Sequence, residues 1–584
     1  MEKINFKNVT FQYPLAEKPA LKQVSFQVKP SEFIVVCGKS GCGKSTLLRH
    51  LKKNLMPYGQ RSGEILYEGI AIEQLDDRRS ASEIGFVQQN PDHQLVTDKV
   101  WHELAFGLES LGLPVKVIKR RVAEMTSYFG IQTWFRKDVS QLSGGQKQLL
   151  NLASVMAMQP QILILDEPAS QLDPIAASDF LQTVYKINRD LGTTVIISEH
   201  RLEEVFPMAD RVMVMDSGEI AAFDTPGRIG HILSGDGKSE PHPMFFGLPA
   251  VMRMFEPLEH IRENTPLTIR EGRIHMEEFL ANLPEEKKAE TADTGAIWTK
   301  ETKRKEKQAG KALRESRLKN KTDAAIVLKD LWFRYEKKLP DVLRGLSFEV
   351  KKGEWYCLLG GNGTGKSTTL KAICNAITPQ RGRITVDGIT VKKETEAQLF
   401  DHRLAMVPQN PQSLFTEITV EEELLEGMAF IPYDAETKIK NVERMLDMMG
   451  IAHLRKANPY DLSGGEQQRL AIGKILLLKP SVLLMDEPTK GLDPFFKRNL
   501  AKILGQLKSQ GVTIFMVSHD IEFCAAYADV CAMFFDGEIV AQAPPAEFFA
   551  GNNFYTTTAN KIVRKWHPEM VTCEEVTRWL QELI

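Results

Sequence analysis

A chain of 584 residues is too long to close over one hydrophobic core and calls for at least two large domains. With 43% hydrophobic and 26% charged residues and a net charge of −2, it lacks the basic excess of a whole-chain nucleic-acid binder, so no nucleic-acid partner is expected. Its seven cysteines (Cys37, Cys42, Cys357, Cys374, Cys524, Cys531, Cys573) show no paired spacing, which argues against a zinc motif or disulfide framework and for reduced thiols.

The N-terminus passes directly into strand-like alternation, without a signal-peptide pattern. No apolar run approaches the ~20 residues of a membrane span. The longest candidate, 243–258, is broken by Gly247, Pro249, Arg253 and Pro257. A role at a membrane would therefore need membrane-spanning segments from other chains.

Strand-like residues 21–28 lead to a buried strand at 33–37, then a glycine-rich loop, Gly38-Lys39-Ser40-Gly41-Cys42-Gly43-Lys44-Ser45, with Thr46 opening a helix. Such a loop offers a phosphate chain close backbone approach, many N–H donors and the Lys44 ammonium, while Ser45 offers a hydroxyl to Mg²⁺. Further on come Gln89 in a VQQNP loop, an LSGGQ segment containing Ser143, Gly144 and Gly145, and the apolar run 162–165 ending in Asp166-Glu167. A later apolar strand ends near His200. Asp166 is placed to hold the metal shell and Glu167 to polarise an attacking water, since phosphoryl transfer is mostly positioning of water, metal and charge.

All of this recurs about 320 residues later. The second set is Gly360, Asn362, Gly363, Gly365, Lys366, Ser367 and Thr368 in the loop; Gln409; Ser463, Gly464 and Gly465 in LSGGE; then Asp486, Glu487 and His519. Tyr13 and Tyr335 stand equally far before their lysines, where an aromatic face would stack on adenine. Gln89 and Gln409 occupy matching loops that would reach metal and a partner surface. Strands alternating with helices in each copy predict an α/β core. ATP and Mg²⁺ are the expected ligands.

Between the copies, residues 300–321 carry ten Lys or Arg against three Glu and no apolar periodicity, the composition of a solvated linker, with a basic strip that touches anionic lipid or RNA as the alternative. The assignment is a first domain with a C-terminal extension over 1–283, a charged linker over 284–323, a second domain over 324–551 and a short tail over 552–584. In the tail, Thr572-Cys573-Glu574-Glu575 is a capping-box pattern that predicts a helix start.

With these motifs in this order, the chain resembles the ATP-binding-cassette ATPases over nearly everything except linker and tail. The resemblance implies two P-loop cassette domains, each with a mixed-sheet RecA-like core and a helical subdomain. It also implies that the halves pair head to tail within one chain. One ATP would then lie between Lys44, Gln89, Glu167 and His200 and the signature at Ser463–Gly465, and the other between Lys366, Gln409, Glu487 and His519 and the signature at 143–145. Among these ATPases, VQQNPDHQL, VWHELAFGLESLGLP, SEHRLEEV and DLSGGEQQRLAI look most like the energy-coupling-factor type. That type works peripherally, at the cytoplasmic face of the cell membrane, with an integral-membrane T component and a small substrate-binding S component. Its cargoes include vitamins, vitamin precursors such as hydroxymethylpyrimidine, cobalt and nickel. The alternative is a soluble twin cassette acting on ribosomes, but those read DEPTNHLD where this chain reads DEPASQLDP and DEPTKGLDP. Three positions depart from the family pattern: Leu149 where Arg is usual, Glu466 for the signature glutamine, and Gln171 before Asp173. None removes a catalytic group, so both sites are expected to be competent.

Overall fold

The computed structural model describes residues 2–14, 16, 18–170, 172–235, 240–258, 264–284, 287, 324–361 and 363–584. The charged linker, save Pro284 and Lys287, lies outside them, as do Gln171 and Asn362. The chain forms two compact units, Met1–Leu267 with Asp493–Phe495, and Thr268–Leu492 with Phe496–Ile584.

The first unit contains strands β1 (Ile4–Gln12), β2 (Leu21–Val28), β3 (Phe33–Gly38), β4 (Gln60–Tyr67), β5 (Ile70–Ala71), β6 (Ile84–Val87), β7 (Ile162–Asp166), β8 (Thr194–Ser198), β9 (Arg211–Asp216) and β10 (Glu219–Asp224). They build an antiparallel sheet in the order β2-β1-β4-β5 and a six-stranded sheet β10-β9-β3-β8-β7-β6. The larger sheet is parallel except for its β10 edge. Its central strands β3, β7 and β8 are apolar runs because both their faces are buried. Side chains alternate: Ile34, Val36, Ile164 and Ile196 join the core under the antiparallel sheet, while Val35, Leu163, Leu165 and Val195 join the core under the helices.

Between β6 and β7 the chain inserts the helices Val100–Ser110, Val115–Tyr128 and Gly144–Ala157. They pack through Leu104, Leu108, Val122, Met125, Leu150 and Ala153, a stripe at helical spacing. This is the helical subdomain.

The second unit repeats the plan with β11 (Ala324–Phe333), β12 (Leu343–Lys351), β13 (Trp355–Leu359), β14 (Arg381–Val386), β15 (Ile389–Thr390), β16 (Leu404–Val407), β17 (Val482–Asp486), β18 (Thr513–Val517), β19 (Val530–Phe535) and β20 (Glu538–Ala543). Its sheets run β12-β11-β14-β15 and β16-β17-β18-β13-β19-β20, the same strand order as in the first unit. Helices Val420–Glu426, Ala435–Met449 and Gly464–Leu476 form its helical subdomain.

Helix Ile269–Ala281, which chain continuity groups with the first domain, belongs to the second compact unit. Its Arg273 Nε donates to the Lys561 carbonyl at 2.8 Å, and Glu277 pairs with Lys565 at 3.1 Å. The tail is part of the same unit: helix Cys573–Leu583 starts at the Thr572/Glu575 capping box read from the sequence and buries Val576, Trp579, Leu580 and Leu583.

Candidate functional site

In each unit the phosphate-loop, acidic, glutamine and histidine candidates lie after the C-terminal ends of parallel strands, the edge where open α/β sheets bind ligands. The loop after β3 wraps the start of helix Lys44–Arg49, and that after β13 the start of helix Lys366–Ile373. Both turns need glycine just before the lysine. Gly43 has φ +104° with a Cβ position 2.5 Å from the Ala20 carbonyl oxygen; Gly365 has φ +114° and 2.9 Å to that of Val342. Ser40, Gly41 and Gly363 also lie in these loops, and Asn362 lies outside the described residues.

Lys44 Nζ donates to the carbonyls of Gly38 and Lys39, both at 3.0 Å, and Lys366 Nζ to those of Gly360 at 3.0 Å and Gly361 at 2.7 Å. Each ammonium is buried inside a ring of loop backbone, where a phosphate oxygen would complete its shell. Burial lowers the Lys366 pKa, with Glu487 and Asp486 pulling in the other direction. The Tyr13 hydroxyl lies 3.1 Å from Thr46 Oγ1 and that of Tyr335 3.1 Å from Thr368 Oγ1, so both aromatic rings are tethered beside the loop helix.

At the end of β7, Asp166 Oδ1 accepts from Ser45 Oγ at 3.0 Å and from Ser198 Oγ at 2.8 Å. At the end of β17, Asp486 Oδ1 accepts from Ser367 Oγ at 3.2 Å. Burial raises the pKa of both aspartates, and the serine hydroxyls oppose this. The next residues, Glu167 and Glu487, hold φ of +44° and +52°. That conformation costs a non-glycine residue roughly 1–2 kcal/mol, and the same turn is kept at both strand ends.

The two glutamates differ in their partners. Glu167 Oε1 lies 2.8 Å from His200 Nε2 and 3.9 Å from Lys44 Nζ, while its Oε2 accepts from Gln89 Nε2 at 2.9 Å. Burial pushes this carboxyl up, but His200 and then Lys44 outweigh it and hold it down at about 2. Glu487 Oε2 accepts from the His519 backbone N–H at 3.1 Å. The His519 ring Nε2 stands 3.2 Å from Oε1 but out of hydrogen-bond alignment, so this buried oxygen accepts no hydrogen bond. Burial accordingly lifts the Glu487 carboxyl to about 7, against the opposing His519 N–H and Lys366. Gln409 is exposed and, among the described residues, does not bond Glu487. Thus Gln89 meets its catalytic candidate and Gln409 does not.

Both signature serines are exposed N-caps, of helices Gly144–Ala157 and Gly464–Leu476, so Gly144, Gly145, Gly464 and Gly465 lie in the first turns. The Gln/Glu difference has a common purpose. Ser143 N donates to Gln146 Oε1 at 3.1 Å, and Ser463 N to Glu466 Oε2 at 2.9 Å, closing the same capping box. Glu466→Gln is therefore expected to shift stability by less than about 0.5 kcal/mol in urea denaturation. Leu149 and Arg469 occupy the same place in the two helices but make different contacts. Leu149 packs on the apolar core, whereas Arg469 Nη1 donates to the carbonyls of Met449 at 3.3 Å and Gly450 at 3.4 Å, capping helix Ala435–Met449.

Sequence reasoning missed Ser198 and Glu199, both buried at the first site, and the buried pair Glu423–Lys474 in the second helical subdomain. The only signal was the unequal text at the strand ends, SEH against VSH.

A family model described as ABC transporter matches residues 21–170 and 343–490, one match in each half. The chain belongs to the ABC transporter family. A Bacillus cereus relative, provisionally named an ABC transporter ATP-binding protein, is 40% identical over 569 residues, covering 97% of this chain and 96% of its own. A similarly named Streptomyces coelicolor protein is 32% identical over 583 residues, 96% of this chain and 98% of its own. Among solved structures, Clostridium perfringens CbiO1, described as part of the ABC transporter complex CbiONQ, is 27% identical with a TM-score of 0.37, covering 44% of this chain and 99% of that one. As a family member, the twin-cassette chain binds ATP and hydrolyses it to ADP and phosphate, coupled to transport across a membrane. No helix among its described residues is long and apolar enough to cross a membrane.

Proposed function

We propose that the chain energises a membrane importer of the energy-coupling-factor type, docking peripherally at the cytoplasmic face of the cell membrane against an integral T component that carries a small S component. The S component would select the cargo: a vitamin, a vitamin precursor such as hydroxymethylpyrimidine, cobalt or nickel. The motifs around Gln89 and His200 support this reading, and a groove in the first unit carries it.

The groove encloses about 590 Å³ between the sheet core and the helical subdomain, lined by Gln94, Val96, Glu103, Phe106 and Met158 among others. Its walls are mostly apolar and Phe106 is 39% exposed, as suits the end of a partner helix. The groove also has a physical route to the nucleotide site. Gln94 Nε2 donates to the Phe86 carbonyl on β6 at 3.0 Å and its Oε1 accepts from Gln88 N at 3.0 Å, while the next residue, Gln89, binds Glu167. A helix seated in the groove therefore presses on the segment that ends at the candidate catalytic carboxylate.

In this reading the halves pair head to tail, each ATP lying between one phosphate loop and the opposite signature. Glu167 and Glu487 polarise the attacking water, and His200 and His519 contact the γ-phosphate. Ser45, Asp166 and Gln89, with Ser367, Asp486 and Gln409 in the second half, would hold Mg²⁺. The paired hydroxyl and carboxylate oxygens are the hard donors that ion prefers, and bound there it would neutralise charge on the phosphates. Coupling requires only that the two nucleotide states bind the membrane partner with different affinity.

Purification of the tagged chain from host membranes in mild detergent tests the reading. Two small multispanning proteins are expected to accompany it; ribosomal proteins without a membrane partner would transfer the chain to the translation-type cassettes. Phe106→Glu places a charge in the apolar groove and is expected to weaken recovery of the membrane partner by about tenfold or more, with ATP binding retained. Undiminished recovery would remove the groove from the docking surface.

A further inference from the structure

Glu199 is 2% exposed at the end of β8, directly before His200, and has no counterpart in the second site. Burying a carboxylate is costly unless donors surround it. Here the donors are backbone N–H groups from two loops. Glu199 Oε1 accepts from Ala169 N at 2.9 Å, in the loop that follows Glu167, and Oε2 accepts from His200 N at 3.0 Å and, less closely, from Arg201 N at 3.4 Å. Arg201 Nη2 adds a second tie between the same loops, donating to the Leu172 carbonyl at 3.3 Å.

The second unit has no carboxylate at this position. Ser518 takes the place of Glu199 after β18, and its Oγ accepts from Asp520 N at 3.0 Å. The His519 N–H donates to Glu487 Oε2 at 3.1 Å, and the His519 ring Nε2 stands 3.2 Å from Oε1 without a hydrogen bond to it. In the first unit Glu199 takes the His200 N–H, so it is the His200 ring that meets Glu167, at 2.8 Å. One backbone donor is thus spent differently in the two sites, which differ at this position.

We propose that Glu199 is a positioning residue of the first ATP site: its carboxylate fastens the loop after Glu167 to the loop carrying His200 and so keeps the His200 ring on Glu167. The two ATP sites, alike in their phosphate loops and acid pairs, are on this account built to behave differently. The proposal rests on the reading of Glu167 as the residue that polarises water.

Glu199→Ser, which installs the residue of the second half, tests it in the full-length chain. The expected result is an ATPase kcat reduced by up to about twofold, since one site of two is impaired, with KM within about twofold because the phosphate loop is untouched. Backbone hydrogen exchange is expected to rise in both 166–170 and 199–202, and to stay unchanged in 486–490 and 518–521. Glu199→Gln keeps one acceptor oxygen for Ala169 N and is expected to fall between wild type and the serine variant. A wild-type kcat, a parallel change of kcat and KM, or unchanged exchange in either first-site loop would overturn the proposal. Should the serine variant fail to fold, a glutamine variant with wild-type kcat and exchange overturns it equally. Glu167→Gln run in parallel separates the two assignments. Wild-type turnover there removes Glu167 from its role, whereas impaired turnover there beside a normal Glu199→Ser removes the clamp alone.

Discussion

Replacing Glu487 with Gln is expected to cut ATP hydrolysis at the second site by about 10²–10³-fold while ATP affinity changes by less than about threefold. The amide keeps the size of the carboxyl and the acceptor for the His519 N–H, so the turn at φ +52° survives. Binding is left to Lys366 and the loop backbone, which the substitution does not touch. What disappears is the carboxylate proposed to take a proton from an attacking water. The pH dependence carries the same signature. Burial holds the Glu487 carboxyl at about 7, with Asp486 adding to the rise and the His519 N–H, Lys366 and Lys490 opposing it. Its base form is therefore present above about pH 7 and is lost as pH falls, whereas Glu167, held at about 2, stays ionised throughout. kcat/KM, which reports the nucleotide-free enzyme, is expected to decline as pH falls through about 7 in the wild type. In Glu487→Gln the residual activity is expected to be flat over that range. Phosphate release across pH 5–9 and titration with a fluorescent ATP analogue check both parts; normal turnover in the variant would displace Glu487 from its role.

The paired cassettes were legible because their motifs are local. A glycine at φ +104°, a lysine six residues after Gly38 and an acid pair closing an apolar strand are each dictated by a few neighbouring residues, and each survives intact in the text. The helix at Cys573–Leu583 was legible for the same reason, since a capping box lies within four residues. What could not be read were partnerships across strands. Glu199 looks like any acid beside a histidine until β7 and β8 are paired and the N–H of Ala169 is brought to it. Ser198, likewise, becomes a partner of Asp166 only through the register that sets those two residues side by side. Helix Ile269–Ala281 has the cap Thr268/Glu271, so its start was recoverable, but the unit it packs in depended on a distant partner at Lys561. The difference in carboxyl pKa between Glu167 and Glu487 belongs to the same class, because it follows from where the His200 and His519 side chains and N–H groups point.

Lys474→Met is expected to destabilise the second unit by about 3–5 kcal/mol, the cost of leaving a buried charge without its partner. Lys474 Nζ donates to the Leu414 carbonyl at 2.8 Å and to Glu423 Oε2 at 3.0 Å, and pairs with Glu426 at 2.7 Å. The Glu423 side chain is 0% exposed, and its Oε1 also accepts from the backbone N–H groups of Thr416 and Glu417. Methionine fills the volume of the lysine stem, so the loss is electrostatic and not a cavity effect. Glu423→Gln in the same chain removes the stranded charge while leaving an acceptor for those N–H groups, and the double variant is expected to recover most of the stability. The first unit holds the matching carboxylate without an ammonium. There Glu103 accepts from Val96 N at 3.2 Å and Thr97 N at 2.8 Å with Ser154 at the place of Lys474, but it lines a groove that opens to water. Urea unfolding of the single and double variants decides the matter: equal loss in both would mean that Lys474 contributes packing, and recovery in the double variant that it contributes charge.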